Sequence, residues 1–493
     1  MGQSRKLSEL GLAARSGNAQ VAITGIALDS RAVKPGFLFA ALPGTRVHGA
    51  EFITFALRMQ AGAILTDRAG AAMAAAALAD YPQVALVVAE DARAAFAMAA
   101  ALWFGTQPDC TVAVTGTNGK TSVASFTRQI WSGLGHGAIN IGTTGVEGSW
   151  ATALDHTTPD ALTLHRILAE AAQAGITHAA MEASSHGLDQ RRLDGVRLSA
   201  AGFTNLSQDH LDYHADMEAY FQAKCGLFTR LLPDDAPAVV NTDDPWGARL
   251  VQILGDRPVM RIGTAEECEL RILAQRFSAH GQELRFAVKG KPYQVKLPLV
   301  GGFQASNALL ALGLALATGA HVIEAMAILP NLRGVRGRMQ LAATRRNGAP
   351  VFVDYAHTPA AVETALRALR PHVMGRLIVV LGAGGDRDRA KRPLMGRAAA
   401  ENADVVYVTD DNPRSEEPAA IRRAILAACP EANEVGDRAE AILRGVDALQ
   451  PGDALLIAGK GHEQGQIIGD TVYPFDDLEQ ASVAVAALDE RAK

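Results

Sequence analysis

The chain has little net charge: 47 lysines and arginines stand against 52 acids in 493 residues, a formal charge of −5. So small an imbalance gives no bulk attraction to nucleic acid or to an anionic membrane, and leaves only local anion sites to consider. Long hydrophobic runs are also missing. The opening MGQSRKLSELGLAARSGNAQ has no signal-peptide core, and the apolar run ALLALGLALATGA from residue 308 is too short to cross a bilayer. We therefore expect a cytoplasmic protein with no nucleic-acid partner and no membrane insertion. The four cysteines, Cys110, Cys225, Cys268 and Cys429, form no CxxC pair, which excludes a disulfide framework and a thiolate zinc site. GAGGDRD at 382–388 lacks the spacing of a dinucleotide fingerprint, and the HxxxH at 210–214 is not HExxH, so neither NAD nor zinc is favoured.

What is present is a globular composition, 48% hydrophobic and 20% charged, in a chain long enough for about three domains. The first hundred residues alternate short strands (VAITGIALDSR, FLFAALPG, AILTD, VALVV) with alanine-rich helices, a small α/β unit ending near the linker-like GTQPDC. A second unit opens on TVAVTG, with further strands at HAAMEAS, SAAGFTNL and PAVVNTDD. Beyond the glycine- and arginine-rich GVRGRMQ at 334–340, read as a hinge, four strand candidates (PVFVDYAH, RLIVVLGAGG, VVYVTDD, DALLIAGKG) alternate with helices in a Rossmann-like layering.

The strongest local signal is TVAVTGTNGKTSVASF. Gly116 and Gly119 let the backbone turn around an anion, the first helical N–H groups point at phosphate oxygens, Lys120 adds a point charge, and a hydroxyl beside it can reach magnesium. Three more polar clusters follow strands of the same unit. MEASSHGLDQRRL carries Glu182, Ser184, Ser185, His186, Gln190 and Arg192; FTNLSQDHLDYH carries Asp209, His210, Asp212 and His214; AYFQAKCGLF carries Lys224 among apolar neighbours. Singly, Glu182 reads equally as a cap, each histidine as structural, and Lys224 as a stem on the core with its ammonium reaching water. Together with a phosphate loop they suit a metal-nucleotide site, and burial of Lys224 would lower its pKa and ease modification.

GTNGKTS, MEASSHG, DHLDYH with AKCGLF, NALLAL, GVRGR, DYAHTP, GAGGDRDRAKRPLMG, DNPR and AGKGHE occur in the order seen in the Mur ligase family, and the chain resembles that family over nearly its whole length. The resemblance is nearest to members that add meso-2,6-diaminopimelate to UDP-N-acetylmuramoyl-L-alanyl-D-glutamate. It implies an α/β protein of three domains: 1–107 binding the UDP-substrate, 108–336 a central P-loop ATPase domain, and 337–493 a Rossmann-like domain binding the amino acid. It also implies ATP and Mg2+ as cofactors and action as a monomer.

Carried residue by residue, the resemblance implies that Gly116, Thr117, Asn118, Gly119, Lys120, Thr121 and Ser122 hold ATP, with Asn307, Arg338, Asp354 and His357 at its nucleotide end. Leu28, Ser30, Val47, His48, Gly49, Asn118, Thr157, Thr158, Ser184, Gln190 and Arg192 would meet the UDP-substrate. Thr121, Glu182, His210 and Lys224 would surround magnesium, with Lys224 an N6-carboxylysine, an anion where a lysine is a cation. Lys120, Glu182, His210 and Lys224 would form the catalytic set. Arg387, Asp411, Asn412, Pro413, Arg414, Gly459 and Glu463 would bind diaminopimelate, acids and amides receiving its ammonium and arginines its carboxylates. A lysine-adding member, a folylpolyglutamate synthase and an ATP-dependent switch are the alternatives; Arg414 argues against lysine, which has no distal carboxylate.

Overall fold

The computed structural model describes residues 4–44, 47–154, 157–211 and 213–491; Asp212 of the DHLDYH motif lies outside them. The chain forms two compact units. One runs to Arg261 and includes Gly313–Ala320; the other comprises Ile262–Leu312 and the chain from His321 onward.

The first unit begins with a four-stranded parallel sheet, in the order Gly25–Ala27, Phe37–Ala40, Ala63–Thr66, Ala85–Val88. These are the four apolar runs read from the sequence. The helix Ala92–Phe104 starts where Asp91 accepts the Ala94 N–H, and it buries Phe96, Ala97, Ala99, Ala100 and Trp103. Alanines on that face let it lie close to the helix Ala161–Gln173. The linker-like GTQPDC is tied down: the Gln107 amide donates to the Gly195 carbonyl (2.8 Å) and accepts the Arg197 N–H (3.0 Å).

The same unit holds a second sheet, ordered Ala238–Asn241, Ala200–Phe203, Cys110–Thr115, His178–Glu182, Ala138–Gly142, Gly145–Gly148, parallel except for the last strand. Its five parallel strands are buried on both faces, which explains their largely apolar sequences. Register decides where the chemistry gathers. Glu182 pairs with Val114 and Phe203 with Thr115, so the loops after three strands leave the sheet side by side.

The second unit contains the antiparallel strands Leu270–Ser278, Gly281–Val288 and Lys291–Leu297, and a six-stranded sheet ordered Gln340–Thr344, Pro350–Asp354, Ala454–Ala458, Leu377–Leu381, Val405–Val408, Asn433–Glu434. All but the first strand of that sheet are parallel, as the four apolar runs imply. GVRGRMQ forms a bonded turn in this unit, with the Tyr355 N–H on the Gly337 carbonyl (2.8 Å) and the Met339 N–H on Asp354 (2.7 Å). Under the sheet's carboxyl edge, Arg438 and Asp477 form a wholly buried bidentate pair (2.7 and 2.6 Å). Arg438 also donates to the Ala458 carbonyl (3.0 Å), fixing the turn where AGKGHE begins. All four cysteines are free, three of them buried, in keeping with core thiols.

Candidate active site

The phosphate loop takes the form its sequence implies. Gly116 has φ +143° and Gly119 φ +86°, and the helix Lys120–Gly133 starts directly after them. A Cβ on Gly116 would fall 1.9 Å from Thr204 Oγ1, because the segment after the neighbouring strand cradles the loop. Thr204 donates to the Asn118 carbonyl (2.6 Å), Asn205 Oδ1 accepts the Asn118 N–H (3.0 Å), and the Ser207 N–H donates to Thr117 Oγ1 (3.0 Å). Sequence reading did not single out Thr204 or Asn205. Lys120 Nζ folds over the loop onto the carbonyls of Gly116 (3.0 Å) and Thr117 (2.8 Å).

Glu182 is buried at the end of its strand. Oε2 accepts the Thr121 hydroxyl (3.0 Å), Oε1 accepts the Thr143 N–H (2.7 Å), and the Thr143 and Thr157 hydroxyls lie 3.1 Å apart. A Cβ on Gly142 would come within 2.0 Å of Oε1, so the carboxylate occupies room that only glycine leaves. Thr143 and Gly142 were missed; the GTTG after the strand AINI was the available signal. A hydroxyl and a carboxylate are hard oxygen donors, a set that suits Mg2+. Among the described residues no three His, Cys, Asp or Glu side chains gather around a common point.

Lys224, on the helix Met217–Gly226, does not reach water. It is 1% exposed, its Nζ donates to the Gly116 carbonyl (2.7 Å), and it sits 4.5 Å from the Tyr220 ring centroid. Burial, reinforced by the charge of Lys120, holds its pKa well below the usual lysine range. An ammonium so placed would also oppose a metal beside the loop, whereas a carboxylated lysine would be an anion there. His210 is exposed, with φ +54° and its ring 3.5 Å from Asp209 and edge-on to His186. Partial desolvation of the ring by its neighbours lowers its pKa, with Asp209 opposing. No hydrogen bond or ion pair joins it to Glu182 among the described residues.

A cavity of about 960 Å³ opens beside this cluster in the first unit. Six of the residues assigned to the UDP-substrate line it: Leu28, Ser30, Val47, Gly49, Gln190 and Arg192. Phe39, Phe52, Phe55 and Phe96 add apolar wall and Arg93 a cation, from segments too scattered to have been recognised in sequence. His48 does not line it. Its Nδ1 accepts the Ala50 N–H (3.0 Å) and its Nε2 meets Asp67 (3.2 Å), so the ring caps a turn. Asn118 belongs to the phosphate loop itself, and Thr157, Thr158 and Ser184 are bonded around Glu182 and Thr143; none of the four is in the cavity wall. Arg192 donates to the Thr158 carbonyl (2.6 Å), Thr158 Oγ1 donates to the Glu182 carbonyl (2.9 Å) and accepts the Ser184 N–H (3.1 Å). Hydrogen bonds thus run from cavity wall to phosphate loop through Arg192, Thr158, Glu182 and Thr121.

In the second unit, DNPR, GAGGDRD and AGKGHE meet at the carboxyl edge of the six-stranded sheet. Arg414 adopts φ +52°, held by its N–H on the Ile467 carbonyl (3.0 Å) and its own carbonyl on the Gly469 N–H (2.8 Å). Its Nη1 donates to the Gly385 carbonyl (2.9 Å). The acids around it are engaged elsewhere: Asp410 with Arg422, Glu416 with Arg392 (2.8 Å) and Arg389 (3.2 Å), Glu417 as the cap of the helix Pro418–Leu426, and Asp411 with Lys460 (3.3 Å). Among the described residues no carboxylate lies within ion-pair distance of Arg414. Arg387 flanks it across Gly384, exposed to solvent. Asn412 donates to Glu463 (2.9 Å). Arg338 lies over the Tyr355 ring (4.9 Å), and the His357 ring bonds the Tyr355 carbonyl (2.8 Å). The deeply set Asp354 carboxyl is raised in pKa by burial, with Arg338 opposing. Asn307, in the helix Phe303–Ala317, donates to Gln304 (3.0 Å).

Three family models match the chain in succession: the Mur ligase family catalytic domain over 22–103, the Mur ligase middle domain over 114–315, and the Mur ligase glutamate ligase domain over 337–461. The chain belongs to the Mur ligase family. It is 50% identical over 478 residues, 96% of each chain, to the UDP-N-acetylmuramoyl-L-alanyl-D-glutamate--2,6-diaminopimelate ligase of Mesorhizobium japonicum. A solved structure of a ligase with the same name superposes with a TM-score of 0.73 at 32% identity, covering 98% of this chain and 99% of that one. The MurF ligase of Thermotoga maritima, solved in complex with ADP, shares the fold at a TM-score of 0.61 and 18% identity, covering 95% and 98%. Within the Mur ligases, then, this chain is similar throughout its length to those whose name specifies diaminopimelate.

Proposed function

We propose that this protein joins meso-2,6-diaminopimelate to the D-glutamate of UDP-N-acetylmuramoyl-L-alanyl-D-glutamate, using ATP and Mg2+, to make a muramoyl-tripeptide of peptidoglycan synthesis. The observation that carries this reading is the hydrogen-bonded path from a cavity of about 960 Å³ to the phosphate loop through Arg192, Thr158, Glu182 and Thr121. It joins a place for a large substrate to a place for phosphoryl transfer. The cytoplasm, where ATP and nucleotide-activated precursors meet, is the compartment this chemistry requires. The division at 1–107, 108–336 and 337–493 goes with the reading, and the succession of family matches supports it.

A carboxylate carbon is a poor electrophile, so the D-glutamate γ-carboxylate first takes the γ-phosphoryl group of ATP, releasing ADP and leaving an acyl phosphate. Lys120 offsets the charge shared between donor and acceptor oxygens, and the loop N–H groups orient the nucleotide phosphates. Thr121 and Glu182 would hold Mg2+, with Lys224 joining them once carboxylated; bound there, the ion stabilises charge on the transferring group. Thr143 fixes the Glu182 carboxylate. Lys224 suits carboxylation because its lowered pKa supplies the neutral amine that attacks CO2. The amine of diaminopimelate then adds to the acyl carbon, and phosphate departs with the oxygen that came from the carboxylate. Arg414 and Arg387 would grip a carboxylate of the incoming amino acid, a bidentate contact that lysine as substrate could not offer at its distal end.

Steady-state release of ADP, with each substrate omitted in turn, tests this. Release should need both the UDP-substrate and meso-diaminopimelate, and lysine should support it poorly. ATP turnover independent of both would favour the switch reading.

A further inference from the structure

Lys460, in the AGKG turn, is wholly buried, although a lysine between two glycines ordinarily marks a solvated loop. Its Nζ donates to Asn412 Oδ1 (2.8 Å) and the Gly465 carbonyl (2.7 Å) and stands 3.3 Å from Asp411 Oδ1. One ammonium therefore joins three segments: the turn, the DNPR loop and the strand Gly465–Ile468. The orientation of the Asn412 amide follows without ambiguity. The Ile467 N–H, which can only donate, also points at Oδ1 (3.0 Å), so that atom is the oxygen and two donors saturate it. The amide NH2 must face the other way, where one N–H reaches Glu463 Oε2 (2.9 Å) and the second makes no hydrogen bond among the described residues.

We infer that Lys460 is a positioning residue that fixes Asn412 as a hydrogen-bond donor to a carboxylate of the incoming amino acid, beside Arg414. This rests on the proposed function and reverses the sequence-based expectation that an amide here receives the substrate's ammonium. That ammonium is left to the acids: Asp411, whose buried Oδ1 stands beside the Lys460 ammonium but accepts no hydrogen bond, and Glu463. The pocket is then divided by polarity, with donors Arg414 and Asn412 on one side and acceptors Asp411 and Glu463 on the other. Such a division distinguishes the two ends of one α-amino acid centre, which a pocket of uniform charge does not.

Two variants test the inference in the full-length enzyme with UDP-substrate, ATP and meso-diaminopimelate. Lys460→Met should raise KM for diaminopimelate at least tenfold while KM for ATP and for the UDP-substrate stays within twofold. Asn412→Asp exchanges the donor for an acceptor of the same shape and should raise the same KM at least tenfold. A folded Lys460→Met enzyme with unchanged KM for diaminopimelate would overturn the positioning role. Asn412→Asp binding diaminopimelate as well as wild type or better would overturn the donor assignment, and it decides the matter if Lys460→Met does not fold. A wild-type enzyme with no diaminopimelate-dependent ADP release would instead refute the function on which the inference rests.

Discussion

Lys224 Nζ lies 2.7 Å from the carbonyl of Gly116, the first glycine of the phosphate loop and 108 residues away in sequence. A buried, unpaired ammonium costs several kcal/mol, and Lys120 makes the position worse for a cation, so stability does not account for a lysine here. We predict that Lys224→Met is at least as stable to urea as wild type, yet loses about 10²–10³-fold in kcat. Carbon-13 NMR with labelled bicarbonate should detect a carbamate in wild type alone. An active Lys224→Met enzyme would remove the residue from catalysis.

Glu182 fits because Gly142 has no side chain. Gly142→Ala pushes a methyl group into Oε1 and must move the carboxylate away from Thr121. We expect kcat to fall about 10²-fold and the Mg2+ concentration for half-maximal activity to rise, with a folded protein by circular dichroism. Unchanged magnesium dependence would separate Glu182 from the metal.

Arg414→Lys keeps the charge and removes the planar fork. A charge-assisted bidentate contact contributes about 1.5–3 kcal/mol, so KM for diaminopimelate should rise by roughly ten- to a hundredfold, with KM for ATP little changed. Equal affinity for diaminopimelate in the variant would place Arg414 outside the amino-acid pocket.

His165 is buried with Nε2 on the Asp194 carbonyl (2.8 Å) and Nδ1 without a partner, and burial lowers its pKa to about 4. In the unfolded chain it titrates near 6.5, so on acidification the unfolded state takes up the proton first and stability falls as pH drops from 6.5 towards 4. A shift of that size corresponds to about 3 kcal/mol at the acid end. In His165→Gln, which can keep the bond to Asp194, urea stability should lose this component. Parallel pH curves for the two proteins would contradict it.

The parts of the fold and site legible in the sequence were those whose cause is local. A strand, two glycines, a lysine and a helix follow one another in TVAVTGTNGKTS, and doubly buried strands show as largely apolar runs. Contacts between distant segments were hidden. Thr143 meets Glu182 across 39 residues, and Asn205 holds Asn118 across 87. The crowd of acids near Arg414 looked contradictory because sequence does not reveal that Asp410 faces Arg422 and Glu416 faces Arg392. His48 and Lys460 show the same limit: sequence does not reveal that a neighbouring turn engages one ring, or that a returning strand buries the other side chain.

The central claim is that the γ-carboxylate of D-glutamate is phosphorylated by ATP and then captured by diaminopimelate. Mass spectrometry of a reaction with oxygen-18 in that carboxylate tests it most directly. The account predicts a tripeptide product and one labelled oxygen in each phosphate released. Unlabelled phosphate, or phosphate formed at the full rate without the UDP-substrate, would contradict it.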